Sequence, residues 1–499
     1  MDLRKGLPAN KKSALATWTA LLALALVAFL LRASHLDTQS LWRDEVDVIR
    51  FANWPWLRLI ESLTQTKDNG PLYYILMRGW LALAGDSEFA LRFLSLCAGV
   101  LAVLLAWRVG RRLIGGRAAL MAALLVAVSP YMVWYSQDAK MYALVNALTL
   151  LAMLCQLEAL ATGRRGWWAG FVVAASLSFY CHLLAALMIP AYATVFLLAW
   201  PRYRGQWRSW LVSLGLLTLP YVPLVVWQLP LVLNSYETGH PLYPLNEMLA
   251  SLVNLYSRGM ALVGRWVVVA AFLFAVLGGV FSPRSYSKVR SETHFDPGGI
   301  RSRLLLLLWL LLPIALVYLI SLRAPVFEPR YLIFVAPAFY LLVALGVVVL
   351  ARLSRTVGGL LLAVLLSFGL LGVWVQATTP IKSDFRAAAA YVVAHRPGAA
   401  PIMFQMPYIR HTFDYYFGRD YVALEGPWTN DGKTEAQVGD VMGLLLKGYA
   451  DVWFVLSEGW LWDSRDLARS WLDQHAFLIE SAHFVLVDVY HYDLSGRSR

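Results

Sequence analysis

Apolar runs of about twenty residues recur along this chain, and they restrict its fold more than any other feature. A hydrocarbon layer about 30 Å thick takes roughly 20 helical residues to cross. Inside it, backbone polar groups are satisfied only in helices or closed barrels. Runs at 14–31, 89–107, 118–135, 141–161, 211–229, 260–281, 304–322, 331–350 and 358–375 therefore predict transmembrane helices. The run at 167–200 is longer, and Arg164-Arg165 and Arg202, Arg204 and Arg208 flank it. Basic residues at both ends predict two short spans folded back near Tyr180-Cys181-His182. The expected total is about eleven spans.

Charge supports this reading. Of 499 residues, 59% are hydrophobic and only 15% charged, which excludes an ordinary soluble protein of this size. The net charge of +12 would suggest nucleic acid only if the cations formed a patch. They fall instead in short clusters between apolar runs: Arg108 to Arg117, Arg164-Arg165, Arg202 to Arg208, Arg284 to Arg303, and Arg352 with Arg355. The positive-inside rule places these clusters in the cytoplasm, with the N-terminus and its Arg4, Lys5, Lys11 and Lys12. No small-residue cleavage site follows the first run, which predicts an uncleaved span. Segments 32–88, 136–140, the His182 tip, 230–259 and 323–330 then lie on the outer side. In the first of these, 46–64 predicts an interfacial helix and 72–84 a second one. The 230–259 segment predicts a functional loop or lid.

After Thr378-Thr379-Pro380 the composition becomes that of a soluble domain. Short apolar runs at 402–404, 421–424, 452–456 and 484–492 alternate with helical patterns at 383–394, 435–447 and 464–474. That alternation predicts a small α/β domain with a largely parallel sheet. The expected organisation is a membrane domain at 1–379, including the outer loop 33–88, and an extracytoplasmic domain at 380–499. Cys97, Cys155 and Cys181 all lie in apolar segments and offer neither a disulfide framework nor metal-ligand spacing.

Ionisable groups gather in the outer loops. Ser40-Leu41-Trp42-Arg43-Asp44-Glu45 sets two adjacent carboxylates beside aromatic and basic residues, and Asp68 follows in the same loop. Asp138 and Lys140 lie two residues apart, His182 sits at the hairpin tip, and Glu328-Pro329-Arg330-Tyr331 forms the late loop. Carboxylates bind a divalent cation or take a proton from a hydroxyl. Arginine and lysine beside tyrosines hold a phosphate. Acids and cations at bilayer level together suggest an enzyme acting on a lipid phosphate. A divalent ion such as Mg or Mn would find candidate ligands in Asp68, Asp138 and His182, but the acids would serve equally without one.

Several stretches resemble bacterial membrane glycosyltransferases with the GT-C fold, of the family 39/83 type, related to protein O-mannosyltransferases and to the lipid A aminoarabinose transferase. They are Leu41 to Glu45, Gly70-Pro71-Leu72-Tyr73-Tyr74, Gly85 to Arg92, Trp134 to Leu144, Pro329 to Leu332 and Ser383 to Ala389, in the family's order over nearly the whole chain. The resemblance implies a polyprenyl-phosphate sugar donor and an inverting transfer at the outer face of the bacterial cytoplasmic membrane. It implies Asp44 as the catalytic carboxylate, with Glu45, Asp68 and Asp138 as supporting acids. Charge on the leaving phosphate would fall to Arg330, then Lys140, with Tyr331 beside them. Arg92 is either a further phosphate ligand or an arginine reaching the interface from a span end. His182 is either a metal ligand or a hydrogen-bonded structural residue. The chain departs from the family at Asn69, where His or Lys is common, at Gly70, where Pro is common, and at Asp138, which is usually Glu. The acceptor, whether lipid, glycan or protein, and the sugar stay open. The rival function is a transporter or flippase for lipid-linked sugars, in which Asn146 and Glu158 would be the interior polar residues.

Overall fold

The computed structural model describes residues 9–62, 70–218, 241–281, 297–396 and 398–496. The chain divides into two compact units, Met1–Leu36 with Ala52–Gln376, and Asp37–Phe51 with Ala377–Arg499. The second boundary falls close to the one expected at residue 379. Residues 37–51, expected with the membrane part, pack with the C-terminal unit instead.

The first unit is helical. Seven of its helices are long and apolar enough to cross a membrane: Leu15–Ala33, Glu88–Leu113, Tyr142–Thr162, Leu183–Trp200, Ile300–Ser321, Pro329–Leu353 and Arg355–Thr378. The pair Gly116–Val128 and Pro130–Ser136, bent by 59°, makes an eighth where it counts as one span. The expected eleven included three further segments. Arg165–Cys181 and Trp266–Phe281 are apolar but shorter, and Trp207–Thr218 ends where the described residues end. At 1.5 Å per residue, the first two reach about 25 Å, less than the seven long helices. The described residues thus carry seven or eight spans.

Burial separates the centre from the rim. Pro329–Leu353 is 94% buried along its span and Tyr142–Thr162 83%, whereas Leu15–Ala33 is only 22% buried. The rim helices leave Leu22, Leu26 and Trp374 exposed, as helices facing lipid do. At the centre, small residues let backbones approach. A β-carbon added to Gly346 would lie 1.7 Å from the Ala275 carbonyl oxygen, so Ala336–Leu353 and Arg265–Phe281 touch along their main chains.

The fold-back expected at His182 is present. Helix Arg165–Cys181 stops, His182 adopts extended backbone, and the chain continues through a 3-10 turn Leu183–Met188 into Ile189–Tyr203. Phe171 and Tyr192, at nearly equal sequence distances on either side of His182, meet edge to face at 5.2 Å. Two arms that meet at equal distances from the break are antiparallel.

Two further expectations are corrected. The helix expected at 46–64 is two helices, Arg43–Ala52 and Trp56–Ser62, because Pro55 disfavours helical backbone at Trp54. The segment expected as a loop at 230–259 contains the helix Leu245–Arg258, and its portion 230–240 lies outside the described residues.

The C-terminal unit is a five-stranded sheet, with β1 Ile402–Phe404, β2 Ala423–Glu425, β3 Asp451–Leu456, β4 Phe477–Phe484 and β5 Val487–Asp493, in the order β2-β1-β3-β5-β4. The first three are parallel, but β5 runs antiparallel to both β3 and β4, so the sheet is mixed rather than largely parallel. Alternation of side chains splits the core into two layers. Ile402, Phe404, Trp453 and Val455 pack under Phe385–His395 on one face. Met403, Val452 and Phe454 pack under Glu435–Leu445 and Leu467–His475 on the other. His491 of β5 ties the antiparallel strands, with Nε2 2.8 Å from Asp451 and Nδ1 3.3 Å from Glu480.

Replacing Gly346 by Val forces two touching main chains apart. The expected cost is about 1–3 kcal/mol, as for other overpacked sites, read as a lower unfolding temperature of the purified protein in detergent. An unchanged midpoint would contradict the contact.

Candidate functional site

Helix breaks build the site of the first unit. Pro130 has no N–H, so the Val126 carbonyl lacks its usual donor four residues on. Arg32 supplies one. This guanidinium is fully buried and donates from Nη2 to the Val126 carbonyl at 3.2 Å and from Nη1 to the Ala127 carbonyl at 3.1 Å. Its Nε donates to Ser136 Oγ at 3.1 Å. Gln137 adds bonds from Nε2 to the Arg32 and Ser34 carbonyls at 3.1 and 2.9 Å. The Ser136 to Lys140 turn is thereby fastened to the end of the first span.

That turn carries Asp138, which is fully buried, and Lys140, which is 7% exposed. Ser95 Oγ donates to the Lys140 carbonyl at 3.0 Å and shares a hydrogen bond with the Tyr73 hydroxyl. Arg92 is buried and donates from Nη1 to the Leu36 carbonyl at 2.7 Å, so it holds the beginning of the first loop.

The Glu328 to Tyr331 segment sits on another break, the 3-10 turn Pro329–Val335. Its carbonyls receive aromatic donors: Tyr131 OH to Pro329 at 3.0 Å, Tyr256 OH to Leu332 at 3.0 Å, and Trp309 Nε1 to Phe334 at 3.0 Å. The Tyr340 hydroxyl fixes Tyr256 in turn, donating to its carbonyl at 2.7 Å. Held in this way, the Arg330 guanidinium lies 5.9 Å from the Tyr142 ring and 5.7 Å from the Tyr331 ring. Both are within cation–π range. Arg330, Asp138 and Glu328 all lie within electrostatic reach of the Tyr135 hydroxyl.

His182, at the break between Arg165–Cys181 and Leu183–Met188, completes the group. Its ring stands 4.9 Å from Tyr331 and 6.0 Å from Tyr142. It is 1% exposed, and neither ring nitrogen hydrogen-bonds to a described residue. Burial first, and the Arg330 charge second, push its pKa down to about 3. The imidazole is therefore neutral near pH 7, with one N–H to give and one nitrogen to accept.

Gly70 closes over this region from the first loop. Its φ of 89° is left-handed, and an added β-carbon would meet Met141 at 2.8 Å and the Cys181 carbonyl at 3.2 Å. A proline, fixed near −65°, cannot take that backbone. The departure from the family at this position therefore changes the main chain and not only the side chain. Asp68 and Asn69 lie outside the described residues.

The second unit holds the other acids. Asp44 and Glu45 stand in the first turn of Arg43–Ala52, where the helix dipole favours negative charge. Asp44 is half-buried, while Glu45 is fully buried and paired with Lys382 at 2.8 Å.

Among the described residues no three His, Cys, Asp or Glu side chains lie together as metal ligands. His182 faces a guanidinium and two tyrosines, a setting that suits an anion better than a cation.

Arg32, Tyr131, Tyr256 and Trp309 were not singled out from the sequence. A buried arginine at the end of an apolar run, and a proline inside another, were the available signals.

Residues 68–227 match the profile of the dolichyl-phosphate-mannose-protein mannosyltransferase family. A curated relative, "Putative mannosyltransferase YycA" of Bacillus subtilis (strain 168), is 27% identical over 212 residues, 39% of this chain and 30% of that protein. The chain thus spans less than a third of that relative's length in the match. Crystal structures of ArnT from Cupriavidus metallidurans superpose over 97% of this chain at 15% identity. The apo form covers 99% of that chain with a TM-score of 0.60, and the form bound to undecaprenyl phosphate covers 98% with 0.58. AglB from Archaeoglobus fulgidus, in complex with an inhibitory peptide and a dolichol-phosphate, covers 95% of this chain and 74% of its own at 13% identity, with a TM-score of 0.52. The fold is that of these GT-C membrane proteins.

Replacing Arg32 by Met removes the donors of Val126 and Ala127 at the bend. Each buried carbonyl left unsatisfied costs about 1–3 kcal/mol, which predicts a lower unfolding temperature in detergent and more where lipid is stripped. A variant as stable as wild type would show that the bend needs no such cap.

Proposed function

We propose that this GT-C chain with a mannosyltransferase-family segment is an inverting glycosyltransferase that takes its sugar from a polyprenyl-phosphate donor. The observation that carries the reading is the Arg330 group. A guanidinium on a turn tied down through its carbonyls stands beside Tyr142, Tyr331 and a neutral His182 whose nitrogens bond to no described residue. Donors held rigidly in a partly dry setting suit the phosphate of a departing lipid carrier.

In the proposed reaction the acceptor hydroxyl attacks the anomeric carbon from the side opposite the phosphate. Asp44 takes the hydroxyl proton as the new carbon–oxygen bond forms. The bond from the anomeric carbon to the phosphate oxygen breaks, and the electron pair leaves with the phosphate. That phosphate is stable as an anion, so no general acid is required. Arg330 and Lys140 supply positive charge to it, and His182 and Tyr331 supply hydrogen bonds. Glu45 orients the first loop, and Asp138 and Asp68 support the reacting region. The arginine clusters at 108–117 and 352–355 favour an orientation with the candidate residues on the outer membrane face.

The transporter reading loses its main interior charge. Glu158 receives Arg112 Nε at 3.0 Å and Nη2 at 2.5 Å, with Arg108 3.7 Å away. A carboxylate clamped in this way at a helix end is a structural ion pair rather than a carrier site.

The test is turnover of purified protein in lipid, with a panel of radiolabelled polyprenyl-phosphate sugars and a crude envelope extract. Free polyprenyl phosphate is the readout. Asp44→Asn should lower kcat by about 10²–10⁴-fold, the usual worth of a positioned base. Full activity in that variant would remove Asp44 from the role. Arg330→Met should lower kcat by about 10²–10³-fold, as loss of one charge-stabilising donor does. An Arg330→Met variant that turns over like wild type would move phosphate binding elsewhere.

A further inference from the structure

The C-terminal unit includes the first-loop motif itself. Its side chains and main chain grip the first-loop motif at almost every residue from Asp37 to Glu45. Arg386 Nη2 donates to the Asp37 carbonyl at 2.7 Å. Gln39 is held from both ends of its amide: Nε2 donates to the Thr379 carbonyl at 2.8 Å, and Oε1 accepts from the Ile381 N–H at 3.0 Å. Ser40 Oγ accepts from the Arg386 N–H at 3.2 Å, and the Leu41 N–H donates to the Tyr416 hydroxyl at 2.7 Å.

Two ion pairs finish the grip, one on each side of Asp44. Arg43 Nε lies 3.0 Å from Glu458, whose backbone is held left-handed at φ 51° in the turn after β3. Lys382 Nζ lies 2.8 Å from Glu45 Oε2, with side chains 5% and 0% exposed, and 5.9 Å from the Trp42 ring. The pairs differ in kind. Arg43 and Glu458 keep partial contact with water, whereas Glu45 has no water to turn to if Lys382 is lost. A buried carboxylate deprived of its cation either takes up a proton or pulls its helix toward solvent. Either response moves the turn that carries Asp44.

We propose that Lys382 is a positioning residue, which acts through Glu45 to fix the direction of the Asp44 carboxylate, with Arg43–Glu458 as a second brace. The inference rests on the reading of Asp44 as the base. It adds that the base is aimed by a lysine almost 340 positions away in the chain. Asp44, the residue between the two pairs, is half-buried.

A mutant cycle tests this in the full-length protein in lipid, with Lys382→Met, Glu45→Gln, the double variant and Lys382→Arg. Misplacing a reacting group by about 1 Å costs up to about 10²-fold, so Lys382→Met should lower kcat by about 10- to 100-fold. The donor KM should stay within about twofold, because the phosphate contacts lie elsewhere. If lysine acts through Glu45, the double variant is no worse than the poorer single one, and Lys382→Arg keeps most of the activity. A purely stabilising role would instead lower the unfolding temperature, leave the kcat of the folded fraction unchanged and give additive losses. That pattern overturns the proposal.

Hydrogen exchange of peptides covering 37–51 supplies a readout that needs no turnover. Exchange there should quicken in Lys382→Met and in Glu45→Gln, and match wild type in Lys382→Arg, while peptides of the sheet stay protected. Unchanged exchange in both neutral variants refutes the anchor even if the enzyme is active. Wild type inert toward every donor, with exchange altered as expected, refutes the activity and leaves the anchor standing.

Discussion

A helix that stops inside an apolar body leaves carbonyls with no donor, and this constraint shapes the first unit. Among its described residues three such breaks stand out, at Ser129-Pro130, at His182 and across Pro329–Val335. Water is scarce at such points, so the protein must provide the missing donors itself. Arg32 does so at the first break, and Tyr131, Tyr256 and Trp309 do so at the third. The candidate site residues follow from the same breaks. Asp138 and Lys140 lie just past the first, His182 is the second, and Arg330 and Tyr331 ride on the third. Irregular backbone is what turns side chains away from helix faces already filled with packing. The donors that satisfy the breaks also make them rigid, so one set of hydrogen bonds serves both stability and placement.

This explains which parts of the molecule were legible in the sequence. Hydropathy located the long spans because the free energy of burying apolar area depends on composition and length. Shorter helices such as Arg165–Cys181 and Trp266–Phe281 lie in runs read as spans but fall below the length of the seven long helices. The fold-back at His182 was legible through charge, since both flanks of the run are basic. Arg32 was not, because its partners at Val126 and Ala127 lie nearly a hundred residues away and are carbonyls, which every residue has. Tyr131, Tyr256 and Trp309 stayed hidden for the same reason. In the C-terminal unit the parallel strands followed from alternation with helices. The β4–β5 hairpin did not, because Val485 and Leu486 form its turn without Gly, Asn or Asp, and Leu486 takes a φ of 55° regardless. The motif around Asp44 was visible as residues. Its packing against the C-terminal unit is a tertiary fact, set by Gln39, Tyr416 and Lys382.

Buried carboxylates give the last step of the argument. Glu158 and Glu45 are both almost wholly removed from water, and both are paired, one with Arg112 and the other with Lys382. Breaking such a pair by removing one partner costs about 3–5 kcal/mol, far more than forming it contributes relative to apolar packing. A pair of this kind is therefore a poor source of stability but an effective lock, since few alternative arrangements satisfy both charges. At Glu158 the lock joins two neighbouring helices. At Glu45 it joins a ten-residue helix to a segment that follows the last span, and the residue beside it, Asp44, keeps access to water. Adjacent acids in one helical turn thus have opposite surroundings. One is buried and ion-paired, and the other is half-buried on a backbone that its neighbour holds still. That asymmetry is what a base beside its own anchor requires, and a loop of merely solvated charges would not produce it.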